Sequence, residues 1–322
     1  MDTRPRPAPE AFRELLERTR LPEPEVAARV EQALSPAYWA RLNPGLSVGQ
    51  RDATPGAMET APIADEQQAR LVARWAREGY LRIPSLHSGP ALDRMREAVE
   101  VLRREDWPAS FAFVYDQFWL VPRAPSLVRL LSALLGVGYR QTADLWAYYV
   151  PARHAAGGWP PHQDYPGQPG RLSVWIPLTE VTIDDSYVSV IPRDAVPARL
   201  AEAWRDMTAI ERGDVGTLLK SSRALPAPVG AVLCWDGRVI HWGAASGPDG
   251  GTRISLGMGF IGEGGDPAGW EQPLFDPQAG LPAVAERLRV IGQTILEYQR
   301  NEPLMIRYEA LARRIVDRAS AR

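Results

Sequence analysis

The most informative stretch of the chain is residues 161–178, which read PHQDYPGQPGRLSVWIPL. It begins with a histidine and an aspartate, His162 and Asp164, that lie two positions apart. Two Pro-Gly turn signals follow, and then an apolar run from 171 to 178 with the β-branched and aromatic side chains that strands favour. The stretch therefore predicts a β-strand with a polar pair directly before it.

Further short runs of strand character surround this stretch, at 139–150, 186–191, 229–235, 238–242 and 252–261. Many short strands separated by turn residues are typical of a β-sandwich or barrel. Apolar residues at helical spacing predict helices on both sides of the strands and one between them, at 9–20, 22–34, 64–77, 90–104, 125–135, 197–207, 281–300 and 304–318. The pattern predicts a mainly β fold with flanking helices.

No internal repeat or long linker divides the chain, so we predict a single domain over residues 1–322. Its parts would be a helical extension at 1–60, a core with supporting helices at 65–262, and C-terminal helices at 280–322. With 322 residues, 45% of them apolar, the chain is long enough to bury a large core without disulfides or structural metals.

The composition narrows the class of protein. Lysine and arginine number 37 against 39 acidic residues, and this near balance argues against non-specific nucleic-acid binding. The single cysteine, Cys234, cannot form an intramolecular disulfide, which favours a reducing compartment. The amino terminus lacks the apolar segment of a signal peptide, and no apolar run approaches the ~18 residues of a membrane helix. We therefore expect a soluble, cytoplasmic protein without membrane or nucleic-acid partners, whose oligomeric state the sequence does not indicate.

The chain has four histidines, and two of them lie where metal ligands would be useful. In an extended segment residues two apart project to the same face, so His162 and Asp164 could bind one ion. His241 lies at the end of another predicted strand, 77 residues after Asp164. Two histidines and one carboxylate on one face of a metal, with the other positions open, form the facial triad of non-haem Fe(II) oxygenases.

Arg253 follows His241 by 12 residues and opens a predicted strand in which Arg253 and Ser255 share a face. We expect a hairpin turn at 247–251 to place this strand beside the one that carries His241. A guanidinium group and a hydroxyl group there could bind a carboxylate, the guanidinium in a bidentate manner. A diacid such as 2-oxoglutarate could then chelate iron at one end and contact Arg253 at the other.

At these residues the sequence resembles the phytanoyl-CoA dioxygenase (PhyH) family of Fe(II)/2-oxoglutarate oxygenases, over roughly residues 65–262. The matching segments are Pro161-His162-Gln163-Asp164, Leu172-Ser173-Val174-Trp175-Ile176-Pro177-Leu178, Val190-Ile191-Pro192, His241-Trp242-Gly243 and Arg253-Ile254-Ser255. The resemblance implies a double-stranded β-helix (a jelly-roll, cupin-like core). It implies iron bound by His162, Asp164 and His241, and the far carboxylate of 2-oxoglutarate bound by Arg253 and Ser255. It also implies that Ser173, Trp175 and Tyr148 border the 2-oxoglutarate pocket.

The activity implied by the resemblance is hydroxylation of an unactivated C–H bond of a small-molecule metabolite by O2, with decarboxylation of 2-oxoglutarate to succinate and CO2. Desaturation, epoxidation or cyclisation in secondary-metabolite biosynthesis would use the same residues. Halogenation is disfavoured, because halogenating relatives replace the carboxylate ligand with a small residue and Asp164 is present here. After Val190-Ile191-Pro192 the common members read Gly-Ser-His, whereas this chain reads Arg193-Asp194-Ala195, so a phytanoyl-CoA-like substrate is not implied.

Two functions of other classes fit parts of the sequence. A hydrolase or isomerase could use Zn²⁺ in a related cupin-like barrel, although such sites often use three histidines and give Arg253 no role. A non-catalytic protein could also retain the fold. The combination of His162, Asp164, His241 and Arg253 favours the oxygenase over both.

Overall fold

The computed structural model describes residues 19–50, 59–152, 158–197, 200, 212–299 and 303–320. The helices that the sequence predicts at 9–20 and 197–207 fall almost entirely outside these ranges. Within the ranges, helices α1 to α9 span Glu23–Ala33, Pro36–Leu42, Asp65–Glu78, Pro90–Arg104, Asp116–Leu120, Pro125–Leu135, Arg212–Lys220, Val284–Tyr298 and Glu309–Ser320. Short 3-10 helices lie at Ala109–Val114, Val121–Arg123, Arg193–Ala195, Gly269–Glu271 and Pro303–Tyr308.

Local sequence explains where the supporting helices begin and end. Proline occupies the first turn of α4 and α6, where its missing N–H costs no hydrogen bond. Helix α3 ends at Gly79, whose φ of 75° is left-handed and whose missing side chain leaves room for Val239. The predicted helices at 64–77, 90–104 and 125–135 therefore agree with α3, α4 and α6 to within a residue.

Strands β1 to β11 span Glu59–Thr60, Tyr80–Ile83, His87–Ser88, Arg140–Val150, Trp159–His162, Arg171–Pro177, Val188–Ile191, Arg223–Leu225, Val232–Asp236, Ile240–Gly243 and Arg253–Ile261. They form a five-stranded sheet in the order β2-β9-β6-β11-β4, a four-stranded sheet in the order β5-β10-β7-β8, and a small pair of β1 with β3. The pairs within the two larger sheets are antiparallel. This arrangement confirms the predicted mainly β fold with flanking helices.

The predicted hairpin between β10 and β11 is wrong. Strand β10 pairs with β5 and β7, whereas β11 pairs with β4 and β6, so the two strands belong to different sheets. The connection between them is hydrogen-bonded to the turn before β7. The amides of Ala244 and Gly247 donate to the carbonyl oxygens of Tyr187 and Asp184, respectively. The amide of Gly251 donates to the side-chain carboxylate of Asp185. These bonds lead the chain from one sheet across to the other.

Side chains of the five-stranded sheet alternate between two environments, as the period of two requires. On β4, Leu145 and Ala147 join the large core under the helices, whereas Asp144 and Tyr148 border the space between the sheets. On β11, Arg253 and Ser255 face this inner side, together with Gly257 and Gly259. The inner side of this sheet therefore carries the polar groups and the space for a ligand.

Helix α8, which precedes the last helix, packs on strand β4, on the 3-10 helix at 109–114 and on helix α9. A buried ion pair between Arg287 and Asp116, 2.6 Å apart, ties it to α5. The carboxylate of Asp116 also accepts hydrogen bonds from the backbone of Gly49 and Gln50. Segments from both ends of the described chain thus meet at Asp116.

In the described part of the chain, no single helix combines the length and the apolar character needed to cross a membrane. Two consecutive helical segments, 116–123 and 125–135, together have the length and composition of a membrane span, but they are bent by 54° relative to each other. Many of their apolar side chains are buried.

Candidate metal centre

The structure brings His162, Asp164 and His241 together at one end of the space between the sheets. His162 is the last residue of β5 and is the register partner of His241 on β10. Asp164 lies two residues beyond the end of β5, and its Oδ1 is 3.3 Å from His162 Nε2 and 3.4 Å from His241 Nε2. One ligand atom from each residue lies within 4.8 Å of the others.

Both imidazole rings are held in the orientation that a metal requires. His162 Nδ1 lies 2.9 Å from the carbonyl oxygen of Pro160, and His241 Nδ1 lies 3.1 Å from that of Val239. Because a carbonyl oxygen only accepts, each Nδ1 donates to it, and Nε2 is the ring nitrogen that faces Asp164 and is placed to bind a metal. Such a bond to the far nitrogen is typical of histidines that bind metals.

The two oxygens of the Asp164 carboxylate have different neighbours. Oδ2 accepts hydrogen bonds from Ser173 Oγ at 2.5 Å and from Trp235 Nε1 at 2.8 Å, while Oδ1 faces the two histidines. Burial alone would raise the pKa of Asp164, but the neighbouring histidines lower it well below its usual value. The group is therefore ionised at neutral pH, as a metal ligand must be.

The chemistry of these donors fits a divalent transition metal. Two imidazole nitrogens and one carboxylate oxygen converge from one side, and the cavity borders the group on the other. This is the 2-His-1-carboxylate arrangement that leaves coordination positions open, as non-haem Fe(II) enzymes need. Among the described residues, this is the one group of three or more potential ligands close enough to share an ion.

The cavity has a volume of about 460 Å³ and extends from the histidines to Arg253. Arg253 is only 8% exposed, and its Nη1 donates to the carbonyl oxygen of Ser186 at 2.9 Å. Its Nε is buried without a partner, and no carboxylate among the described residues forms an ion pair with it. Burial lowers the pKa of Arg253 to about 10, against the opposing effects of Tyr148 and of the Asp185 carboxylate, so the guanidinium group is charged at neutral pH.

The other residues that the sequence predicts around a cosubstrate occupy different positions. Tyr148 and Trp175 line the cavity and hold their rings 5.6 and 5.7 Å from the Arg253 guanidinium carbon. Ser173 also lines the cavity, but its hydroxyl group is bonded to Asp164. Ser255 is completely buried behind the cavity wall, and its hydroxyl oxygen has no partner.

Several cavity residues were not predicted from the sequence. Trp235, whose ring also packs 4.6 Å from that of His241, is the second donor to Asp164. Its place on the inner face of β9 follows from strand alternation, which could have identified it. Asp144, Trp270 and Tyr298 also line the cavity. The last two lie beyond residue 262, where no pattern in the sequence connects them to the site.

No family model matches the sequence, and no curated protein matches it significantly. Several solved structures share the fold. The non-haem alpha-ketoglutarate-dependent epimerase SnoN from nogalamycin biosynthesis matches with a TM-score of 0.53 and 16% identity, over 68% of this chain and 95% of that chain. The carbocyclase SnoK from the same biosynthesis matches with a TM-score of 0.50 and 21% identity, over 67% of this chain and 100% of that chain.

A third similar structure is the nickel complex of the non-haem monooxygenase ThoJ. It matches with a TM-score of 0.50 and 14% identity, over 73% of this chain and 99% of that chain. At these identities the likeness shows a shared fold. It agrees with the double-stranded β-helix core that the resemblance of the sequence implies.

Proposed function

We propose that this protein is an Fe(II)- and 2-oxoglutarate-dependent oxygenase. One observation carries the proposal: Arg253, buried and without a carboxylate partner among the described residues, lines the same cavity as the His162, Asp164 and His241 group. A cavity that offers metal ligands at one end and an unpaired guanidinium group at the other matches a diacid that chelates a metal.

In this proposal His162, Asp164 and His241 bind the iron, and Ser173 and Trp235 hold the Asp164 carboxylate in position through Oδ2. Iron with bound 2-oxoglutarate supplies the oxidation of a C–H bond by O2, with release of succinate and CO2. The bonds of the two Nδ1 atoms to backbone carbonyls orient both rings so that Nε2 is the atom that would bind the metal. The chain's contribution is a pre-set ligand geometry, which does not have to form when the metal binds.

Arg253 binds the far carboxylate of 2-oxoglutarate. Its Nε is free to donate, since the structure gives it no acceptor among the described residues, and its Nη1 is anchored by Ser186. The hydroxyl of Ser255, on the same strand face, adds a second donor once the carboxylate is present. Tyr148 and Trp175 flank the guanidinium group and shield the pair from water, which strengthens it.

The substrate is a small-molecule metabolite, and hydroxylation is the reaction that the site supports best. Desaturation, epoxidation or cyclisation would use the same cofactors, and the similar structures include an epimerase and a carbocyclase that are described as alpha-ketoglutarate-dependent. We also propose membership of the phytanoyl-CoA dioxygenase family, on the sequence segments at 161–164, 172–178, 190–192, 241–243 and 253–255. The single-domain organisation, the cytoplasmic location and the absence of nucleic-acid partners stay predictions.

The alternative from a different class, a cupin-like metal protein without oxygenase activity, leaves Arg253 unexplained. A buried guanidinium group with no carboxylate within ion-pair distance is only partly compensated, and a bound carboxylate would complete its pairing. A Zn²⁺ hydrolase would need no such ligand.

The experiment that tests the proposal is the addition of Fe(II) and 2-oxoglutarate to the purified protein under nitrogen. We expect the weak metal-to-ligand absorption band of a chelated 2-oxoglutarate complex, and succinate formation when air is admitted. The Arg253→Ala variant serves as the matched control, because it retains every metal ligand and should require far more 2-oxoglutarate for the same band. Absence of the band in the parent protein at saturating Fe(II) and 2-oxoglutarate would refute the proposal.

A further inference from the structure

The wall of the cavity carries a second carboxylate, that of the half-buried Asp144, on the inner face of β4. Its Oδ2 accepts a hydrogen bond from Tyr165 at 2.7 Å, and its Oδ1 accepts one from Tyr298 at 3.2 Å. Both donors are neutral hydroxyl groups. No cationic side chain among the described residues forms an ion pair with Asp144.

The remaining charges of the cavity do not compensate this carboxylate. With the proposed cofactors bound, Asp164 and the keto-acid end of 2-oxoglutarate offset the charge of Fe(II), and Arg253 offsets the far carboxylate. Arg253 is the one arginine or lysine among the described residues that line the cavity. Among these residues, no further arginine or lysine is left to offset the charge of Asp144.

Burial without a cation has the expected electrostatic effect on Asp144. It raises the pKa of this carboxyl group to about 6, against the opposing effect of the Tyr165 hydrogen bond. The group is still mostly ionised at pH 7.5. An ionised carboxylate has about four acceptor positions, and the two tyrosine hydroxyls use two of them, so capacity for a further donor remains.

The surroundings of Asp144 are aromatic and rigid. The ring of Tyr298 stacks on Trp146 with centroids 4.3 Å apart, and the ring of Tyr165 lies 4.6 Å from the guanidinium carbon of Arg171. Trp270 lines the same cavity. One face of each tyrosine ring is thus covered by another side chain, so the carboxylate is the group that attracts an organic cation, and the aromatic surface beside it suits the apolar part of a substrate.

A glycine opposite Asp144 keeps this part of the site in place. A side chain at Gly259 on β11 would come within 2.7 Å of the Tyr165 hydroxyl oxygen and within 3.2 Å of the Asp144 Cβ. The absence of a side chain at this position lets the Asp144–Tyr165 pair lie directly on the β11 backbone. The pair is therefore built into the fold, as a binding group must be.

We propose that the substrate of this enzyme carries a protonated amine and that Asp144 binds it between Tyr165 and Tyr298. This assignment rests on the proposed oxygenase function and adds the substrate class: an aromatic or hydrophobic metabolite with a basic nitrogen. Asp144 acts in specificity, because it positions the substrate by its charged group and takes no part in binding the cofactors.

The test compares two matched pairs of probes, tyramine with tyrosol and tryptamine with tryptophol, in which an ammonium group replaces a hydroxyl group on the same skeleton. Binding is measured by calorimetry at pH 7.5 under nitrogen, on protein loaded with Fe(II) and 2-oxoglutarate. A charge-assisted hydrogen bond in a buried site should make at least one amine bind about tenfold more tightly than its alcohol. Asp144→Asn, which retains the shape but not the charge, should abolish this preference.

The control variant is Asp249→Asn, which removes an exposed carboxylate from the turn before β11 and should leave the preference intact. If neither amine binds more tightly than its alcohol to the parent protein, or if the preference survives in Asp144→Asn, the inference is wrong. The absorption band of the iron complex is recorded for every sample, so a failure of the cofactor proposal is seen separately. Should Asp144→Asn not fold, the comparison of amine with alcohol in the parent protein decides alone.

Discussion

Two buried arginines lie at opposite ends of the same pair of strands, and they differ in how they are partnered. Arg171 opens β6 and is 3% exposed, and its Nη1 and Nη2 contact the two carboxylate oxygens of Glu271 at 2.5 and 2.9 Å. Arg253 opens β11, which runs antiparallel to β6, so it lies at the other end of the barrel. It is also buried, at 8% exposed, but it has one backbone acceptor and, among the described residues, no carboxylate within ion-pair distance.

The difference separates a structural end of the barrel from a ligand-binding end. Glu271, itself 1% exposed, also accepts a hydrogen bond from the amide of Ala268, so the Arg171 end is complete in the protein alone. At the Arg253 end, Arg253 Nε and Ser255 Oγ lack partners. Buried polar groups are rarely left without partners unless a ligand supplies them. Four predictions test this division, and a fifth concerns an ion-pair group elsewhere in the molecule; they follow in order of decreasing effect.

The largest effect should follow from removal of a metal ligand at the open end. His162→Ala or His241→Ala leaves two protein ligands, and the proposed iron site should lose both its metal and its 2-oxoglutarate turnover while the fold is retained. Elemental analysis of purified protein measures the iron content, and circular dichroism checks the fold. Full iron occupancy in either variant would show that the ligands are assigned incorrectly.

At the same end, Arg253→Ala should weaken 2-oxoglutarate binding by roughly 3–5 kcal/mol, because the far carboxylate is left without its partner. Arg253→Lys retains the charge but loses the bidentate geometry, so it should substitute poorly. Iron affinity and the free energy of unfolding should change little, since no ligand and no internal ion pair is removed. If the parent protein and the Arg253→Ala variant give the same 2-oxoglutarate titration curve, the Arg253 end is not a ligand-binding end.

At the closed end, Arg171→Ala should have the opposite profile. It leaves the buried Glu271 carboxylate without a cation and should lower the free energy of unfolding by about 3 kcal/mol, measured in urea. The double variant Arg171→Met/Glu271→Leu should recover most of the loss, because no buried charge remains unpaired. If Arg171→Ala instead leaves stability unchanged and weakens 2-oxoglutarate binding, Arg171 belongs to the ligand site.

A smaller effect is expected for the groups that support Asp164. Ser173→Ala or Trp235→Phe removes one hydrogen bond to Oδ2 while all three ligands stay, so iron affinity should fall roughly 10- to 100-fold. Competition with a chelator gives the affinity. Thr182→Ala, which alters a hydrogen bond to Asp185 rather than to Asp164, is the matched control and should bind iron like the parent protein.

The smallest effect is expected for Glu78, a carboxylate that has arginine partners and lies outside both ends of the barrel. Burial would raise the pKa of Glu78, but hydrogen bonds from Arg77 and Arg74 and the charge of Arg223 lower it to about 2. A lowered pKa gives stability that is present above pH 4.5 and is lost as the pH falls towards 2. Glu78→Gln should therefore reduce the loss of unfolding free energy between pH 4.5 and pH 2.5 by at most about 1 kcal/mol, because the arginine partners are partly exposed. Parallel urea titrations at pH 4.5 and pH 2.5 measure it, and equal losses in both proteins would contradict it.

Much of the secondary structure was predictable because it depends on local patterns. The apolar stripe and the terminal glycine of the helix at 64–77, and the run of apolar, β-branched and aromatic residues along 171–178, are properties of neighbouring residues. Strands β1, β3 and β8 were not predicted, since two or three residues are too few to show a period. The 3-10 helix at 109–114 was not predicted, because all its side chains are buried and it has no polar face that would show a helical period.

The sequence by itself determined the mainly β class and the order of His162, Asp164, His241 and Arg253, because these follow from strand periodicity and from the chemistry of the residue types. The tertiary structure alone decided that β10 and β11 lie in different sheets, a choice made by hydrogen bonds to the distant turn at 182–187. It also decided that Tyr298, from a helix beyond the barrel, meets Asp144 across 154 positions of the chain. Such contacts arise from packing between segments that are far apart in sequence, and no local pattern records which segments will meet.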